Sequence, residues 1–182
     1  NSSYFEYDEG IVDCISSFPY YDIPKGANIF VTCINKQLGS YPGLAIVGVK
    51  KSFWEYLKPS NKTSYLNLRR YYEYGKLNQT PSTAPTHLFQ HLNKILRNFN
   101  IEELRNKIQT NSELLVEAIG ASNIIGNTQG PVITVNKDII PIEIANKYQL
   151  YGINTESPNY QFFTYSCDKK LYKKFKYEKI IL

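Results

Sequence analysis

The sequence predicts an α/β fold, in which part of a mainly parallel sheet is followed by a small α+β unit. Three observations carry this. The opening part holds short β-branched and apolar runs between turns, the pattern of strands covered on both faces. Two long helical stripes follow, over 87–99 and 101–121. After them, short strands and helices alternate to the end of the chain. A composition shift near residue 97 divides the chain into a first unit, 1–96, and a smaller second unit, 97–182.

Each element has its own signal. "GIVDCISSF" (10–18) opens as a short strand and runs into Asp13 and a Ser-Ser loop. "ANIFVTCI" (27–34) is entered through the breakers Pro24 and Gly26. "GLAIVGVK" (43–50) is a continuous apolar run and the third strand. "SFWEYLK" (52–58) offers Ser52 as an N-cap for one or two helical turns. "SYLNLRRYYEYG" (64–75) reads as helix and "QTPSTAPT" (79–86) as loop. Residues 88, 89, 92, 95, 96 and 99 form one apolar stripe, and Gly120 closes the helix that starts at 101. Then come strand 130–136, helix 140–149, strands 151–156 and 160–167, and helix 168–179.

Composition excludes several classes. With 182 residues, 42% hydrophobic and 20% charged, the chain has enough apolar material for a core and is not disordered. No apolar run reaches the ~20 residues of a membrane helix, and no basic-then-apolar signal opens the chain. The net charge is +5, and the lysines of 168–179 read as the solvated face of a C-terminal helix. No nucleic-acid recognition motif accompanies them. Cys14, Cys33 and Cys167 are odd in number and lie in or beside strands. They read as buried reduced thiols of a cytoplasmic protein, with no metal-ligand spacing.

Lys36 is the residue that needs an explanation, because it stands between two runs that both read as buried strands. It is either a snorkelling or salt-bridged lysine, or a nucleophile whose desolvated amine forms a Schiff base with a carbonyl. The second reading calls for a carboxylate at the end of a neighbouring strand. Asp13 follows Ile11-Val12 and has that position; its other reading is a turn cap. A carboxylate holding a pyridinium proton and a lysine holding an aldehyde are the two parts a pyridoxal phosphate enzyme requires. In open α/β sheets both would lie beyond the carboxyl ends of the strands.

"IVDCISSF" and "NKQLGSYPG" resemble the paired signatures of class V aminotransferases of pyridoxal phosphate fold type I, and most resemble the 2-aminoethylphosphonate–pyruvate type. Asn35, Lys36, Pro42 and Gly43 keep the order and spacing of that family's segment, and "TPSTAPTHLFQHLNKIL" looks like its Thr-x-Pro-Thr-His segment. The resemblance covers about half the chain. It implies the C-terminal part of the large cofactor-binding domain followed by the small domain. It implies pyridoxal 5'-phosphate as cofactor, with Lys36 catalytic and Asp13 on the pyridine nitrogen. Ser16, Asn35 and Thr83 complete the cofactor set, and Thr83 would reach the phosphate of a partner subunit in a homodimer. Ser17 joins Ser16 near Asp13. The implied reaction moves an amino group from a small amine, such as 2-aminoethylphosphonate, to pyruvate or a similar keto acid.

Two departures qualify this. The family's substrate-binding arginine falls on Thr164 when "YQFFTYSC" is aligned with its strand, and a threonine makes no bidentate grip on an acid. Arg69 and Arg70 are candidate substitutes, or simply arginines on a helix surface. His87 reads as a helix N-terminal residue, and His91 has no evident partner. The family's chains are also about twice as long, which makes the chain a piece of a longer fold or the remnant of one. The rival reading is a non-catalytic, aminotransferase-like dimerisation or regulatory module.

Overall fold

The computed structural model describes residues 10–58, 66–166 and 169–177. Strand β1 (Gly10–Asp13) runs parallel to β2 (Ala27–Cys33), with Asp13 opposite Val31. Strand β3 (Ala45–Val49) returns antiparallel on the other edge of β2. The apolar run at 43–50 is therefore not a parallel strand. The connection after β2 is too short for a crossover. It folds back on itself instead: the Ser40 N–H donates to the Ile34 carbonyl at 2.9 Å and that of Gly39 to Lys36 at 3.0 Å. The described residues do not cover both faces of this sheet either, since Ile11 is 72% exposed and Val47 39%. Gly48 lies under the ring of its cross-strand partner Phe30, which fills the space a side chain would need.

A 3-10 turn, Lys51–Glu55, replaces the helix read at 52–58. Lys50, not Ser52, is its N-cap, and no side chain caps it. Helix α1 (Leu68–Lys76) starts on Asn67, whose side chain accepts the Arg70 N–H at 3.2 Å. Helix α2 (Thr86–Asn98) begins after Pro85 without a side-chain cap, so Thr83 does not cap it. Helix α3 (Ile101–Ile119) is capped by Asn100, which accepts the N–H groups of Glu102 and Glu103. It stops at Gly120, whose φ of 87° favours glycine.

The second sheet has the order β4 (Ile124–Ile125), β5 (Val132–Asn136), β6 (Asn159–Phe163), all antiparallel. The two-residue β4 is too short to show any alternation in sequence. Helix α4 (Ile142–Tyr148) precedes β6, and α5 (Lys169–Tyr177) follows it and packs along α3. The strand expected at 151–156 is a turn. Tyr151 makes one bridge to Gln161, Gly152 adopts φ 107°, and Thr155 returns both its N–H and its hydroxyl to the Gly152 carbonyl. The strand expected at 160–167 ends at Phe163, because Ser166 turns back onto the Phe163 carbonyl.

The core sits on this second sheet. Leu115 and Ile119 of α3, Ile133 and Val135 of β5, and Tyr160 and Phe162 of β6 are buried together with Tyr172 and Phe175 of α5. Lys170, Lys173 and Lys174 are exposed, so the basic run is the wet face of an amphipathic helix. No helix among the described residues is long and apolar enough to cross a membrane. Cys14 and Cys33 are free thiols, the first buried and the second half-buried; Cys167 lies outside the described residues.

Thr164 is fully buried. Its hydroxyl donates to the Gly130 carbonyl at 2.6 Å, its N–H to Pro131, and its carbonyl accepts from Asn111 Nδ2 at 2.7 Å. Removing the hydroxyl in Thr164→Val is expected to lower stability by about 1–3 kcal/mol, the range for breaking a buried hydrogen bond, and urea denaturation measures it.

Candidate active site

Because β1 and β2 are parallel, the loops that leave them emerge at the same edge of the sheet. Asp13 is the last residue of β1 and Lys36 lies just past β2. Hydrogen bonds sew the two loops together. The Cys14 N–H extends the ladder to the Val31 carbonyl at 2.8 Å, and the buried Thr32 hydroxyl donates to the Cys14 carbonyl at 3.1 Å. Gln37 is buried and makes two further ties: its Nε2 donates to the Ser16 carbonyl at 2.7 Å, and its Oε1 accepts the Tyr20 N–H at 3.0 Å. The sequence reading passed over Gln37. A glutamine beside a lysine in a loop carries no signal until the facing loop is known.

These ties bring Lys36 to Ser16. The Lys36 Nζ donates to Ser16 Oγ at 2.7 Å. Asp13 is exposed, and its Oδ1 accepts the Ile15 N–H at 2.8 Å. The carboxylate is therefore both the turn cap and a group at the strand end. Ser17 faces Cys14 instead of the lysine. Burial pushes the Cys14 thiol up, a Ser17 hydrogen bond pulls it partly back, and the Asp13 charge adds to the rise. Burial also raises the phenols of Tyr20 and Tyr21.

The other face of the site comes from the second sheet. Lys36 Nζ lies 5.9 Å from the centroid of the Phe163 ring, within the range of a cation–π contact. Phe163 in turn meets Tyr151 edge-on, with centroids 5.5 Å apart. The residue of β6 that faces the lysine is thus Phe163. Thr164, onto which the sequence alignment put the arginine position, points into the core. Tyr21 links the two parts as well: its hydroxyl donates to the Gln129 carbonyl at 3.4 Å, and a side chain at Gly130 would strike it.

The remaining candidates lie apart from this cluster. Asn35 and Thr83 are exposed. Arg69 donates to the Trp54 carbonyl at 3.0 Å and pairs with Glu73 at 2.8 Å; Arg70 donates to Pro81 at 3.0 Å. Both arginines therefore brace loops around α1 and do not replace a substrate-binding arginine. His87 is exposed, whereas His91 has a partner that the sequence did not reveal: it stacks on Tyr41 with centroids 4.5 Å apart.

The comparisons with known proteins agree with this geometry. No protein-family model matches the chain, and no curated protein does. Solved structures do match. A phosphoserine aminotransferase from Cytophaga hutchinsonii superposes with a TM-score of 0.69 at 18% identity, over 91% of this chain and 53% of its own. An aspartate aminotransferase of subgroup IV from Thermus thermophilus gives 0.73 at 16% identity, over 91% and 54%. An alanine–glyoxylate aminotransferase from Nostoc sp. gives 0.64 at 20% identity, over 83% and 46%. The chain has the fold of these aminotransferases. It spans about half the length of the solved structures it matches.

Gln37→Leu is expected to cost about 1 kcal/mol, since it removes the partner of a part-buried carbonyl and of a part-buried N–H. It is also expected to speed hydrogen exchange of the Tyr20 amide, which NMR reads directly; unchanged Tyr20 protection would show that other contacts hold the loop.

Proposed function

We propose that the chain carries the lysine-bearing half of a pyridoxal phosphate-dependent aminotransferase site. The observation that carries this is the Lys36 Nζ hydrogen bond to Ser16 Oγ beyond the carboxyl ends of two parallel strands, the first of which ends on Asp13, in a chain with an aminotransferase fold. The donor set suits the cofactor: a carboxylate for a ring nitrogen, an amine for an aldehyde, and a hydroxyl that orients the amine. Bound there, pyridoxal phosphate supplies a carbonyl that captures amines and a ring that withdraws electrons from the carbon beside the captured nitrogen.

The protein's own groups divide the work. Asp13, at the strand end, would face the ring nitrogen and hold a proton on it. Ser16 Oγ accepts from Lys36 Nζ and aims it. Lys36 Nζ would be the amine that holds the cofactor's aldehyde between turnovers. During turnover it takes the proton from the amine-bearing carbon of the donor and returns it on the far side of the transfer. Asn35 is exposed beside Lys36 in the chain, and Thr83 lies on an exposed loop, where a second copy of the chain would offer it a phosphate across a homodimer. The amino group passes from a small primary amine to pyruvate or a similar keto acid. 2-Aminoethylphosphonate is the donor to which the sequence resemblance points.

The test is covalent. With pyridoxal phosphate the protein is expected to turn yellow, and borohydride is expected to fix the cofactor on Lys36, as located by peptide mass spectrometry. K36A is expected to lose the visible band while keeping its circular dichroism. A colourless protein, or label spread evenly over the lysines of α5, would support the non-catalytic module instead.

A further inference from the structure

We propose that the amine this site accepts carries an uncharged aromatic body, and that Phe163 and Tyr151 receive its ring. The role of the amine rests on the aminotransferase reading; the ring site rests on the cleft alone.

A cleft of about 640 Å³ opens between α4, the turn at 149–155, β6 and α5. Its volume is that of a small-molecule pocket. Its walls are aromatic, with Tyr148, Tyr151, Phe163, Tyr172 and Phe175, and its polar groups are neutral, such as Gln161. Among the described residues, no Asp, Glu, Lys or Arg lines it. A carboxylate or phosphonate entering such a cleft loses its hydration, and the ammonium beside Phe163, that of Lys36, is the group the amine chemistry itself engages. A ring loses little and gains faces and edges to pack against.

Phe163 connects the cleft to the chemistry. It lines the cleft, and its ring lies 5.9 Å from Lys36 Nζ. Its edge-on contact with Tyr151, at 61° between the planes, leaves a notch between two rings. Tyr151 is 58% exposed, so its ring is available to a third aromatic group. Within β6 the side chains of Tyr160 and Phe162 are buried, so alternation turns Phe163 to the open face. Thr164, in the turn that follows, is held in the core by its bond to Gly130. An amine held at Lys36 therefore has its body directed onto Phe163 and into the cleft.

The test uses the full 182-residue chain and two probes that lack the amine, 2-phenylethanol and 2-hydroxyethylphosphonate, each titrated by calorimetry. The neutral ring is expected to bind at least about tenfold more tightly than the phosphonate. Phe163→Ala and Tyr151→Ala are each expected to weaken ring binding by about fivefold to tenfold. Phe163→Arg is expected to reverse the preference. Tyr151 is largely exposed, so its variant reports on the cleft even where a change at Phe163 unfolds the chain. Phosphonate binding as tight as that of the ring, or ring binding unchanged in Tyr151→Ala, overturns the proposal. Ring binding without cofactor fixation at Lys36 defeats the aminotransferase reading and leaves the ring site standing. Fixation at Lys36 with the phosphonate preferred does the reverse.

Discussion

The carboxamide of Gln37 spans two loops that the sheet only brings near each other. Parallel pairing of β1 and β2 puts both loops at one edge, but neighbouring loops at a sheet edge are free to splay. Gln37 removes that freedom by donating to the Ser16 carbonyl and accepting from the Tyr20 amide at once. Both bonds are part-buried, so opening either exchanges a formed hydrogen bond for a partly desolvated polar group. With the loops held, Lys36 has Ser16 Oγ within hydrogen-bond reach, and the amine has one position instead of many.

A second constraint works from the opposite side. Gly130 accepts the Thr164 hydroxyl, lies beside Ser112 Oγ, and leaves no room for a side chain under Tyr21. One backbone position thus joins α3, the end of β6 and the loop after β1. The polar network around Thr164 looks like a matter of core stability. It also sets which face of β6 meets the lysine, because burying one residue of a strand turns its neighbour outward.

The two constraints give the site an asymmetric character. Its lysine end is polar and hydrogen-bonded, with Ser16, Asp13 and backbone groups. Its far end is a wall of rings without a charge. The arginines that could have supplied an anion site there are engaged in holding loops around α1.

Local signals in the chain sufficed for much of this. The period of α2 and α3 and the Gly120 stop are short-range, and they stand in the structure as read. The places of Asp13 and Lys36 at or just past strand ends were legible because each follows an apolar run. The direction of β3, the turn at 151–156, the role of Gln37 and the choice of Phe163 over Thr164 were decided only in three dimensions. Each depends on a partner far along the chain, such as Tyr20 for Gln37 or Gly130 for Thr164. A sequence reports spacing along one line, whereas the face a side chain shows is set by the most distant hydrogen bond that holds its strand.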